Sequence, residues 1–269
     1  MINWTYMLLV GRLNRGLLIF SGLFIGLIQF LIIWIFTSFD YAPILEAILK
    51  QLPPQMKILF NEQFLIQLSV NGAAAFGFNH PLVLFNLGIL AIALPGWHIA
   101  GEAESGILEL HLAYPIRRET LFTSLWLACT ASLLAVILCG YIGSLTALII
   151  KSQFEWNLAL SLLKIIFNLW LLFSIIMSFS LWISTKNRES GKSGSIAASI
   201  ALLFYFLFFL GSTWQLPKYI QQLNPFFYYQ PSKLMFNQTS FKLNFIVLGV
   251  LIAVMFISGY HQFKRRDIP

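Results

Sequence analysis

Charge is what this chain is short of. Only 10% of its 269 residues are Asp, Glu, Lys or Arg, against about 25% in a soluble domain. So few ionisable groups cannot cover a water-facing surface, which excludes a soluble fold. Cysteine is scarce too: Cys129 and Cys139 are the whole complement. Ten residues apart on one predicted helix, they lie roughly 15 Å from each other along its axis and cannot form a bridge. The four histidines, His80, His98, His111 and His261, show no ligand spacing, so a metal centre is not expected. A phosphate-binding loop is missing as well. Ser190-Gly-Lys-Ser193 imitates the end of one, but the motif needs glycine at position 186, where Lys186 stands. The chain has no ATPase site of its own.

What fills the space is apolar. Hydrophobic residues make up 58% of the chain and mean hydropathy is +0.79. A membrane-crossing helix needs about 20 mostly apolar residues, and six segments qualify: 17–37, 81–100, 121–150, 158–183, 196–214 and 243–260. The expected fold is all-α and polytopic, with one integral domain over 1–269 and no linker-separated soluble part. Pro95-Gly96 is expected to kink the second span. The first apolar run ends in Thr-Ser-Phe-Asp-Tyr without a small-residue cleavage site, so it reads as a retained helix and not a signal peptide. Before it, residues 1–16 place Trp4, Met7, Leu8 and Gly11 with Arg12 and Arg15 at helical spacing, as in an amphipathic helix lying on the membrane surface. Matching broken helices in two halves are not evident, which argues against a secondary transporter.

Basic residues set the orientation. With the N-terminus inside, the inner parts carry Arg12, Arg15, Arg117, Arg118, Lys186, Arg188, Lys192, Lys264, Arg265 and Arg266. The outer parts carry Lys50, Lys57, Lys151, Lys218, Lys233 and Lys242, with Lys164 inside a helix near its outer end. Both termini are therefore expected in the cytoplasm, and the net charge of +7 points to an anionic leaflet, not to nucleic acid. In the outer segment 38–80, Ile44, Leu45, Ile48, Leu49 and Leu52 form an apolar face that Pro53-Pro54 ends, and a second apolar stretch runs from Met56 to Val70. This reads either as a membrane-hugging loop or as a gate. In the outer segment 215–242, Asn224-Pro-Phe-Phe-Tyr-Tyr-Gln-Pro231 fits short re-entrant or interfacial helices, or a plain aromatic anchor.

Three spans carry faces too small or too polar for lipid. Gly22, Gly26 and Gln29 share one side of the first, a spacing that lets backbones approach closely. Ala128, Ser132, Ala135, Cys139, Gly143 and Ala147 run along the third. Ser161, Lys164, Asn168, Ser174 and Ser178 cover about a third of the fourth at 100° per residue. Asn86 on the second is a further candidate to face the interior of the bundle. Gln29, Asn86, Lys164 and Asn168 are the candidates for a solute pathway; the alternative is hydrogen bonding between helices. Gly191-Lys-Ser-Gly194 also spells the Gly-x-Ser-Gly of intramembrane serine proteases, with His261 as a conceivable base for Ser193. Its charged setting beside Lys186, Arg188 and Lys192 argues against that chemistry.

Between the second and third spans lies a polar stretch, Gly101-Glu-Ala-Glu-Ser-Gly-Ile-Leu-Glu-Leu-His-Leu-Ala-Tyr-Pro-Ile-Arg-Arg118. With Glu119 it holds four of the ten acidic residues. Glu102 and Glu104 suit a helix N-terminus, with Ser105 as a candidate cap. Ile107, Leu110 and Tyr114 form a stripe joined by Leu108 and Leu112, Pro115 stops the helix, and Arg117-Arg118 mark the membrane surface. The product is a short surface helix offering Glu109 to the cytoplasm, which is either a docking element or an ordinary connector.

Here the sequence resembles the permease subunits of type-2 ATP-binding-cassette (ABC) exporters. Their loop between the second and third helices typically reads Glu-x-x-x-Gly-Thr-Leu-Glu-Leu-Leu-Leu-Ser-x-Pro-x-x-Arg. This chain has Glu102-Ala-Glu-Ser-Gly106-Ile-Leu-Glu-Leu-His-Leu-Ala-Tyr-Pro115-Ile-Arg117, departing at Ile107, His111 and Ala113. The order of the N-terminal helix, six spans, aromatic patch and basic ending extends the likeness over the whole chain. The resemblance implies that the stretch is a coupling helix seated in a separate nucleotide-binding ATPase, which would hold the ATP and Mg. It also implies a second permease copy or paralogue and a bacterial inner membrane. Glu102, Glu104, Gly106, Glu109, Leu110, Pro115 and Arg117 are then the residues expected to contact or position the ATPase. A membrane anchor that recruits an ATPase without moving solute is the alternative.

Overall fold

The computed structural model describes residues 2–39, 69–113, 116–213 and 221–265. The expectations placed on 44–68, on Tyr114 and Pro115, on Trp214 and Lys218 and on Arg266 lie outside the described residues. Within them the chain is helical, with no strand, and six helical stretches are long and apolar enough to cross a membrane. The protein is an all-α polytopic membrane protein. Six crossings return the chain to the side it started from, so both ends of the described chain share one end of the bundle, called here the termini end.

Helix α1 (Trp4–Leu13) is started by Asn3, whose side chain accepts from the Tyr6 N–H, and α2 (Arg15–Ser38) follows after the single residue Asn14. Tyr6 and Val10 are buried, while Trp4, Leu8 and Leu13 lie open on the other side. The second crossing is longer than expected. Helix α3 (Val70–Asn79), capped by Ser69, precedes α4 (Pro81–Pro95), and the two join at His80 into one 35-residue stretch from Val70 to Glu104. Pro81 has no N–H to extend α3, and His80 Nδ1 accepts from the Leu82 N–H to begin α4.

At the other end of α4, Pro95 removes a helical donor and the chain widens into a π-type turn, Gly96–Gly101. Ser180 donates to the Ile92 carbonyl at 3.1 Å there, tying α8 to the last turn of α4 beside a backbone bond that Ile92 already receives from Gly96. Short helices α5 (Glu102–Glu104) and α6 (Ile107–Ala113) come next, then the long spans α7 (Arg118–Ile150), α8 (Trp156–Lys186) and α9 (Ser190–Thr213). A 3-10 turn (Pro225–Tyr228) and α10 (Pro231–Met235) cover the far end before α11 (Phe241–Arg265) closes the bundle.

Helix α8 is the most buried span, and α9 and α11 are the least. It packs on α4, α7, α9 and α11. Trp170 Nε1 donates to the Thr130 carbonyl at 2.9 Å, and Trp126 Nε1 to Ser178 Oγ at 2.8 Å, tying α8 to α7. The most extensive helix pair is α2 with α7. A Cβ on Gly143 would overlap the Gly26 carbonyl oxygen, and one on Gly26 would stand 3.1 Å from the Cys139 carbonyl. This is the close backbone approach that Gly22 and Gly26 predict. On α7 the expected line holds in part: Ala128 and Ala147 are buried and Gly143 meets Gly26. The rest of the buried side is rotated from that line. It runs through Cys129, Leu133, Val136, Ile137, Gly140 and Ser144, while Ala135 and Cys139 are exposed. Small residues are required only where the helices touch, and larger ones bury along the rest of the seam.

Candidate functional site

The polar stretch folds as two helical pieces, not one. Gly106 has φ +74 with open space around it, so backbone conformation and not crowding calls for glycine. Ser105 does not cap the following helix. Its hydroxyl donates back to the Gly101 carbonyl at 2.9 Å and the Glu102 carbonyl at 3.4 Å, closing the preceding turn. The reversal at Gly106 then sets α6 off in a new direction.

The two carboxylates of α5 point different ways. Glu102 is buried at 9% exposure, and its Oε1 accepts from His98 Nδ1 at 2.7 Å. Its Oε2 lies 3.6 Å from His111 Nε2 on α6, beyond hydrogen-bond length. Burial, helped by the nearby Glu102 charge, pushes the Tyr6 phenol far above its ordinary range. Glu104 instead faces α9, where Oε2 accepts the Ser190 N–H at 3.0 Å. It serves as an N-cap supplied from another helix, and its charge also suits the positive end of α9. Glu109, Ile107 and Leu110 are exposed on α6, and Leu108 is buried. Arg117 is exposed at the start of α7. Glu102 thus sits inside the protein while Glu109 and Leu110 face out; Pro115 lies outside the described residues.

Beside the start of α9 a cavity of about 680 Å³ opens between α4, α8 and α9. Its wall is almost wholly apolar and includes Phe85, Ile89, Phe173, Leu202, Tyr205 and Phe226. Small residues Gly88, Gly96, Gly194 and Ala198 make the room. The sequence signal for it lies in these glycines and this alanine, but they belong to two spans that nothing in the linear order pairs.

None of the four pathway candidates lines that cavity. Gln29 is fully buried between α2, α3 and α7, accepting from Ser144 Oγ at 3.3 Å, and a Cβ on Gly77 would overlap its Oε1. Asn168 is fully buried on α8 without a hydrogen-bond partner for either amide atom, and Asn86 Oδ1 is buried on α4 without one. Lys164 reaches the far end, where Nζ donates to Asn237 Oδ1 at 3.4 Å. Its ammonium is thereby held at the bundle edge, as snorkelling predicts. At the same end Lys151 Nζ donates to Ser38 Oγ at 2.6 Å and lies 3.9 Å over the Trp34 ring, linking α7 to α2.

The protease reading finds no support in the geometry. Ser193 is fully buried in the first turn of α9, whose helix starts at Ser190, earlier than its hydropathy suggests. Its hydroxyl is hydrogen-bonded to Ser184 Oγ at 2.7 Å. His261 is exposed and sets its ring against Tyr260.

Comparison with known proteins gives one family. Residues 16–268 match the family described as ABC-2 family transporter protein, and the chain belongs to it. No curated protein matches the chain.

Proposed function

Taking that membership as the premise, we propose that this permease works with a separate nucleotide-binding ATPase and that α6 is its coupling helix. The observation that carries the reading is the outward face of α6. Ile107 and Leu110 are 45% and 66% exposed beside Glu109, on a seven-residue helix at the termini end. Apolar side chains displayed next to an acid, at a bundle end rich in Arg and Lys, suit a protein cleft better than lipid or bulk water. The same basic residues favour a cytoplasmic termini end in a bacterial inner membrane. ATP and Mg would be held by the partner, in keeping with the lack of a phosphate loop here.

The direction we assign is export, and the solute route runs along the apolar cavity between α4 and α9. Its lining suits a lipid-like or otherwise apolar molecule, admitted from the bilayer. A second permease, the same chain or a paralogue, completes the passage. α9 and α11 leave most of their surfaces unburied in one chain.

The test is reconstitution in lipid vesicles with the ATPase that co-purifies. ATP-dependent movement of solute is expected, and Glu109→Lys should keep the chain inserted while transport per ATP hydrolysed falls at least about tenfold. Flux without any ATPase, or labelling of residues 107–110 from outside intact cells, would contradict the proposal. ATPase binding without flux would identify a recruiting anchor.

A further inference from the structure

His98 has its tautomer set by its neighbours. Asn14 Nδ2 donates to the Val10 carbonyl at 2.8 Å, which only an N–H can do, so that atom is the amide nitrogen. Its second hydrogen faces His98 Nε2 at 2.8 Å. Nε2 therefore accepts, the ring proton sits on Nδ1, and Nδ1 donates to Glu102 Oε1 at 2.7 Å. A neutral imidazole carries an unbroken line of hydrogen bonds from Asn14, the elbow between α1 and α2, to the Glu102 carboxylate.

The line continues towards α6. Glu102 Oε2 has no hydrogen bond and stands 3.6 Å from His111 Nε2. The His111 ring meets Tyr6 of α1 edge-on, with centroids 5.6 Å apart. Tyr6 itself is anchored, since its N–H goes to Asn3 and the Asn3 N–H goes to Ser124 Oγ of α7. A helix as short as α6 does not hold its shape unaided. Leu108 is buried, and His111 adds an inward contact of its own, to the Tyr6 ring and towards Glu102. Two points fix a direction where one would leave a swivel.

We infer that His98 and His111 are positioning residues: His98 aims the Glu102 carboxylate, and the carboxylate with Tyr6 holds His111, so that α6 presents Glu109 and Leu110 at one set angle. A load on α6 then reaches α1 and α2 through Asn14, besides reaching α4 through the continuous chain. This rests on the reading of α6 as the coupling helix.

Two measurements on the full chain in lipid nanodiscs test it. The first is amide hydrogen exchange over 107–113 on the permease alone; the second is solute moved per ATP with the partner ATPase. His111→Leu removes the polar contact to Glu102, and His111→Gln keeps a polar side chain there. In the His111→Leu variant, exchange over 107–113 should quicken about tenfold while that of 121–150 stays unchanged. Transport per ATP should fall at least about threefold, with ATPase affinity within about twofold of wild type. The His111→Gln variant should recover most of both losses, and His98→Leu should behave as His111→Leu does. Unchanged exchange in both leucine variants overturns the inference, and so does quickened exchange with transport per ATP unaltered. If the wild type shows no ATP-driven flux, the coupling reading fails instead, and exchange alone judges the clasp.

Discussion

The Glu104 carboxylate caps a helix 86 residues away, taking the Ser190 N–H at 3.0 Å. Through this bond the turn before α6 holds the first turn of α9, one wall of the apolar cavity. Removing a capping side chain costs about 0.5–2 kcal/mol. Glu104→Ala should therefore speed amide exchange over residues 190–193 by roughly 2- to 30-fold, since about 1.4 kcal/mol is tenfold. Glu104→Asp, one methylene shorter, should fall between the two. Exchange unchanged in the alanine variant would mean that the bond does not hold α9.

Gly143 and Gly26 let α7 and α2 meet backbone to backbone, and a Cβ on Gly143 would occupy the place of the Gly26 carbonyl oxygen. Gly143→Ala should force the pair apart at a cost of about 1–3 kcal/mol, visible as a lowered unfolding temperature in detergent. Gly249→Ala, with nothing within 4 Å of the added carbon, is the matched control and should not lower it. Equal behaviour of the two variants would contradict the close approach.

Gln29 lies where three helices meet, but its Nε2 is buried without a partner. Ser144 also donates to the Gly140 carbonyl at 3.1 Å, so it stays satisfied if the amide goes. Gln29→Met conserves volume and orphans nothing, so stability should stay within about 1 kcal/mol or rise. Transport should be unchanged, because the residue does not line the cavity. A stable variant that no longer transports would place Gln29 on the solute route.

Ala198 sits on α9 at the cavity wall. Ala198→Trp puts an indole into that space in place of a methyl group. We expect ATP-driven flux to drop at least about tenfold while the melting temperature and the yield of assembled complex hold. Normal flux through a filled cavity would move the route elsewhere.

The six crossings are legible in the sequence because bilayer thickness writes itself into the length of apolar runs. So is the small-residue side of α2. Helix α3 is not: Val-Asn-Gly-Ala-Ala-Ala-Phe-Gly-Phe-Asn is poor in strong helix formers apart from its alanines and reads as part of an outer segment. Its glycine at 77 makes sense only when Gln29 is brought against it, a contact that sequence order hides. Within the polar stretch, residue types are informative but directions are not. The π-type turn after Pro95 shifts the helical register, and so Glu102 turns inward to His98 while Glu104, two residues on, reaches α9. The cavity is the least legible feature, because its small residues come from spans separated by more than ninety positions.

Helix α8 is bonded to α7 through two tryptophans, to α4 through Ser180 and to α9 through Ser184. A helix moored on three sides behaves as a mast. Rearrangements that widen or narrow the space beside it must come from lighter neighbours swinging round a stationary pole. Of those neighbours, α9 is held at its root by one serine pair and one borrowed carboxylate, and nearer the far end by Asn224 Nδ2 on the Phe204 carbonyl.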